Sequence, residues 1–109
     1  MSKITNSPLF MEVMARVAQE RVRQNQLFAE GKIPFNCASR IADRNRKLRV
    51  LVEEVGEVAE AIDQCELNPE ALRRREHLRD ELVQVAAVAV AWLESMEASC
   101  GAATRKEMP

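Results

Sequence analysis

From Leu48 to Asp63 the chain reads LRVLVEEVGEVAEAID, in which apolar residues return every third or fourth position and never in strict alternation. That period belongs to an α-helix, whose side chains come back to one face every ~3.6 residues, and it excludes a half-buried strand. Leu48, Leu51, Val52, Val55, Ala59 and Ile62 share one stripe and are expected to form the core face. Glu53, Glu57 and Glu60 lie opposite, and by periodicity alone they predict a solvated surface. A second stripe runs through Val50, Glu54, Glu57 and Ala61, with an apolar residue at each end, and predicts that Glu54 and Glu57 face a cleft or a protein surface. Gly56 costs about 1 kcal/mol relative to alanine inside a helix, and it is open to two readings: plain helix packing, or close approach of something to the backbone.

Two further helices flank this one. Ser7-Pro8 reads as an N-cap followed by proline at the first helical position, and Gly31 with Pro34 ends the segment, giving a helix over about Pro8 to Glu30. Its apolar positions are Phe10, Met14, Val17 and Leu27, and its middle holds Glu20, Arg21, Arg23, Gln24 and Gln26. A loop from Lys32 to Ser39 follows, with Ser39 as the expected cap of the central helix. Between Arg40 and Arg49 five basic residues stand against the single acid Asp43. Asn68-Pro69-Glu70 is a second start signal, opening a helix that is charged early and apolar from Leu82 to Leu93 except for Gln84. An almost wholly apolar helix is expected to be central and buried, so Gln84 needs partners inside the protein. Trp92 is expected in the core or at a subunit interface, and His77 is placed to pair with Glu81 one turn on.

The expected fold is all-α: an up-and-down bundle of three main helices completed by homo-oligomerisation. Residues 1–7 are read as an N-terminal tail, 8–99 as a single helical domain and 100–109 as a flexible C-terminal tail. A net charge of −1 gives no global footprint for nucleic acid or an anionic membrane. Cys37, Cys65 and Cys100 are odd in number and lack metal-ligand spacing, which suits a reduced cytoplasm. MSKITNSPLF has no apolar run behind a basic segment, so no secretory signal is expected. Val85 to Leu93 falls far short of the ~20 residues of a membrane span.

Two glutamates three apart on a helix point the same way, and facing pairs on two helices make an oxygen-lined pocket suited to a hard divalent cation. Glu53-Glu54-Val55-Gly56-Glu57, followed on the next helix by Glu81-Leu82-Val83-Gln84, resembles the E-E-x-x-E … E-x-x-D signature of the MazG-like all-alpha nucleoside triphosphate pyrophosphohydrolases. Val17 with Glu20-Arg21-Val22-Arg23-Gln24 is similar to a V-x-x-E-R-x-R-Q segment of their short phage- and mobile-element-type members. DELVQVAAVAVAWLE, from Asp80 to Glu94, is similar to their last core helix, so the resemblance covers about Val13 to Glu97.

The resemblance implies hydrolysis of a nucleoside triphosphate, ribo or deoxy, to the monophosphate and pyrophosphate. It implies Mg²⁺ or Mn²⁺ as cofactor, and sites built from helix pairs in a homodimer or dimer of dimers. Carried over by position, Glu54, Glu57 and Glu81 match the metal-binding acids, and Glu53 matches the acid that orients or deprotonates the attacking water. Gln84 stands where the pattern has Asp; its amide oxygen can coordinate but brings no charge, and Asp80 one turn earlier is a candidate to compensate. Lys47 and arginines of the basic segment, with Arg21, Arg23 and Gln24 from the first helix, are the expected substrate-binding residues. The competing expectation is a non-catalytic module that only binds nucleotide or self-associates, with Gln84 as its main support.

Overall fold

A computed structural model describes residues 7–40 and 42–107, with side chains described up to Ala98. Within these residues the chain is all-helical and forms three helices: α1 (Pro8–Ala29), α2 (Arg44–Leu67) and α3 (Leu72–Glu107). α3 is the central element, packed against both α2 and α1. The bundle is elongated, 60 × 39 × 24 Å. No described helix is long and apolar enough to cross a membrane.

The helix ends follow local chemistry. Ser7 Oγ accepts from the Phe10 amide with Pro8 in the first turn, as the sequence predicts. α1 closes where the Lys32 amide donates to the Leu27 carbonyl and the Gly31 amide to that of Phe28, a Schellman motif with Gly31 at φ 73°. Two starts differ from expectation. α2 is capped by Asp43, whose Oδ1 accepts from the Asn45 amide at 2.9 Å, whereas Ser39 sits in a turn closed on the Asn36 carbonyl. An aspartate cap is as good as a serine, and it stands directly before the helical segment. Asn68 ends α2 rather than starting α3, and its carbonyl accepts from the Ala71 amide. Proline at the second position of such a turn is as favourable as at the start of a helix, so the same residues serve either structure. Arg74 then donates to the Gln64 carbonyl and Cys65 Sγ to the Arg74 carbonyl, tying α2 to α3 at this corner.

At the C-terminal end α3 runs on to Glu107. AATRKE contains strong helix formers and no proline, and a lone Gly101 costs only about 1 kcal/mol. Residues 1–6 of the expected N-terminal tail lie outside the described residues, as does the side chain of Cys100.

The largest departure concerns the face that α2 turns inward. Lys47, Val50, Leu51, Glu54, Val58, Ala61 and Cys65, at helical spacing, are its buried or half-buried positions. The stripe expected as core is turned outward: Leu48, Val52, Val55 and Ile62 are 48%, 59%, 51% and 42% exposed, and only Leu51 is half-buried. α2 has two apolar stripes, and one neighbouring helix can cover only one of them. α3 offers the small Ala87 and Ala91 with Val88, and these lie buried at its centre. Cys37, Val88 and Ala91 form a core cluster, joined by Phe35 and Ala38 from the loop and by Val50 and Leu51. α3 is central but not enclosed, because Leu82 and Leu93 are exposed while Trp92 is half-buried. Phe10 and Met14 of α1 are likewise exposed, and Val17 is buried.

Candidate functional site

The inner stripe of α2 and the first half of α3 bring three carboxylates together. One oxygen each from Glu54, Glu57 and Glu81 lies within 4.8 Å of the others. Glu81 is buried, Glu54 half-buried and Glu57 exposed, so the cluster runs from the helix interface to its rim. Glu54 Oε2 and Glu81 Oε2 are buried and accept no hydrogen bond. A buried polar atom without a partner is costly, and a carboxylate oxygen among like charges more so. His77 Nε2 lies 3.6 Å from Glu81 Oε1.

The electrostatics record this crowding. Burial, then the charges of Glu57 and Glu81, push the Glu54 carboxyl up to about 7. Burial, followed by Glu57, raises Glu81 as well, with His77 opposing. Both groups want positive charge. Three converging carboxylates, two of them with unsatisfied buried oxygens, fit a hard divalent cation, which takes oxygen ligands and would relieve the repulsion.

Beside the acids opens a cleft of ≈ 840 Å³. Glu53, Glu54 and Gln84 are among its lining, and Arg23, Arg46 and Arg49 supply its positive charge. Phe35 and Pro34 from the α1–α2 loop also line it, and the Arg46 guanidinium lies over the Phe35 ring at 4.2 Å to its centroid. The loop is fastened to α1 by Asn36 Nδ2, which donates to Asn25 Oδ1 at 2.9 Å. Asn36 Oδ1 accepts from the Ala38 amide in a local turn. A smaller cavity of ≈ 330 Å³ adjoins the cleft, and Glu20, Arg23 and Gln84 line both.

The expected site residues separate into two groups. Glu53, Glu54, Gln84, Arg23 and Gln24 line the cleft, and Glu57 and Glu81 complete the acid cluster. Arg21 and Lys47 do not line the cleft. Arg21 is 4% exposed and wholly engaged: Nε and Nη2 fork onto Glu94 at 3.2 and 2.7 Å, Nη1 donates to Gln24, and Nη2 also to Asn25. Its geometry fastens α1 to α3. Lys47 is buried, with Nζ donating to Ser95 Oγ at 2.7 Å, and Ser95 Oγ in turn donates to the Trp92 carbonyl. Asp80 is exposed and borders only the smaller cavity. Gly56 is exposed, and a Cβ there would meet nothing within 4 Å, so the chain itself makes no close approach to that backbone.

Glu20 has no assigned role in the sequence reading, yet it lines both cavities beside Gln84. The signal was present: Val17, Glu20, Gln24 and Leu27 are spaced three, four and three apart, which puts Glu20 on the stripe of buried Val17. Phe35 could not be placed, because loop conformation carries no periodicity.

Comparison of the chain with models of protein families, with characterised proteins and with solved structures returns no match.

Proposed function

We propose that the protein is a Mg²⁺-dependent nucleoside triphosphate pyrophosphohydrolase, producing a nucleoside monophosphate and pyrophosphate. The observation that carries this reading is the acid cluster itself: Glu54, Glu57 and Glu81 converge within 4.8 Å, two of them with buried unpaired oxygens, beside an arginine-bearing cleft. The sequence resemblance to the MazG-like family supplies the reaction class, and the cleft is large enough for a nucleotide. Glu54, Glu57 and Glu81 would hold Mg²⁺ or Mn²⁺, with the Gln84 amide oxygen beside them. A bound cation supplies charge neutralisation at the phosphate oxygens and makes phosphorus more electrophilic.

The chain's own residues account for the rest. Of the basic residues expected to bind substrate, Arg23, Arg46 and Arg49 hold the outer phosphates, while Lys47 and Arg21 do not line the cleft. Glu53, on the cleft wall, orients a water and takes its proton as the water oxygen bonds to the α-phosphorus. The bridging oxygen between the α- and β-phosphorus atoms leaves with the electron pair as pyrophosphate. With a cation held between them, Glu54 and Glu81 would be ionised and would take no part in proton transfer.

Self-association belongs to the same reading. The outward stripe of Leu48, Val52, Val55 and Ile62 is a contiguous apolar helix face, which a second copy would cover in a dimer or dimer of dimers. The unpaired thiols of Cys37 and Cys65 accord with a cytoplasmic setting. The alternative, a nucleotide-binding module without catalysis, rests on Gln84, which leaves the cluster one charge short of the family pattern.

The test is pyrophosphate release from a panel of ribo- and deoxynucleoside triphosphates with and without Mg²⁺. Turnover should require the cation and fall by at least about 100-fold in Glu54→Gln and Glu57→Gln. Undiminished turnover in those variants would sink the assignment, and nucleotide binding without Mg²⁺-dependent hydrolysis would select the alternative.

A further inference from the structure

We infer that Glu20, delivered from α1, supplies the acidic cleft with the negative charge that Gln84 withholds, so that the cation site is assembled from three helices rather than two. This inference rests on the reading of Glu54, Glu57 and Glu81 as cation ligands.

Four observations lead to it. Glu20 and Gln84 line the same two cavities, so the α1 carboxylate shares both spaces with the amide that replaces an acid. The Glu20 side chain is only 15% exposed, an unusual place for a carboxylate that serves merely as a solvated helix charge. Its partners are its own helix neighbours: Arg23 Nη1 at 3.0 Å and Gln24 Nε2 at 3.5 Å both donate to Oε2, and Oε1 has no donor among the described residues. Glu81, 8% exposed with an unpaired buried oxygen in the cluster, independently calls for positive charge there.

The other candidate for the missing charge is weaker. Asp80 sits one turn before Gln84, but it is exposed and reaches only the smaller cavity. Glu20 is therefore the group whose charge is felt in the cleft, either as a direct ligand or through a coordinated water, since Mg²⁺ and Mn²⁺ retain waters in such sites. Arg21 fixes its placement, because the fork onto Glu94 locks the register of α1 against α3 one residue away.

Binding of Mn²⁺ to the nucleotide-free full chain, followed by the electron paramagnetic resonance signal of the free ion, tests this without reference to activity. Glu20→Gln is expected to weaken Mn²⁺ binding by roughly tenfold and Asp80→Asn by less than about twofold. Adding Gln84→Asp to Glu20→Gln should restore affinity to within about twofold of wild type, which a purely structural role for Glu20 would not permit. Glu20→Asp keeps the charge but retracts the carboxylate by one methylene. It covers the case in which Glu20→Gln fails to fold, and is expected to weaken binding by roughly threefold. Wild-type affinity in Glu20→Gln, or in Glu20→Asp where Glu20→Gln does not fold, overturns the inference. If Glu54→Gln abolishes binding in the same series, the cation-site reading survives that failure. Absence of Mn²⁺ binding by the wild type overturns both.

Discussion

At the scale of single residues, the chemistry is concentrated in carboxylates that cannot all be ionised comfortably without a counter-charge. Glu54 holds its proton up to about pH 7 in the folded chain, against an ordinary value of 4.5, and Glu81 is shifted in the same direction. A carboxyl whose folded pKa is raised stabilises the fold below its unfolded pKa and loses that contribution as pH rises through the folded value. Compared with Glu54→Gln, the metal-free wild type should therefore lose thermal stability between about pH 4.5 and 7. Saturating Mg²⁺, which needs the carboxylates ionised, should stabilise it increasingly across the same window. Differential scanning calorimetry of both proteins across that range checks the sign; a wild type that gains stability relative to the variant would contradict the crowding. Several of these residues were legible in the sequence because E-E-x-x-E and Glu81 sit at helical spacing on neighbouring helices. Lys47 and Arg21 were misplaced for a physical reason: composition marks a basic segment but not which way each side chain turns, and these two turn into the bundle.

At the scale of elements, α1 brings side chains to the cleft from outside the α2–α3 pair. It contributes Glu20, Arg23 and Gln24 to the cleft, and the Arg21–Glu94 fork is its described salt bridge to α3. Arg21→Ala should destabilise the protein by about 2 kcal/mol in urea unfolding, the scale of hydrogen bonds to a charged group. Arg21→Lys should recover little of that loss, because a lysine cannot reproduce the two-pronged contact. A destabilisation below about 0.5 kcal/mol would show that α1 is held elsewhere. The three helices were readable from period and punctuation, and α1 begins and ends where Ser7-Pro8 and Gly31 put it. The beginnings of α2 and α3 were not, because Asn68-Pro69 suits a turn as well as a helix start, and Asp43 competes with Ser39 as a cap.

At the scale of the whole molecule, α2 carries two apolar stripes and a single chain buries one. Periodicity chose the stripe with the larger side chains, and the fold chose the stripe that fits against Ala87 and Ala91, leaving Leu48, Val52, Val55 and Ile62 outside. Nothing in a one-chain pattern separates a face meant for a neighbouring helix from a face meant for a second copy, because both are desolvated by the same physics. Val55→Glu should shift the protein toward monomer in sedimentation equilibrium while leaving its helical circular dichroism unchanged. A monomeric wild type would remove self-association from the account. The chemistry proposed at the cleft between these helices is attack of water on the α-phosphorus. Hydrolysing a nucleoside triphosphate with Mg²⁺ in water labelled with heavy oxygen and weighing the products locates that attack. One label is expected in the monophosphate and none in pyrophosphate. Label in pyrophosphate, release of diphosphate with inorganic phosphate, or no hydrolysis of any nucleotide would contradict it.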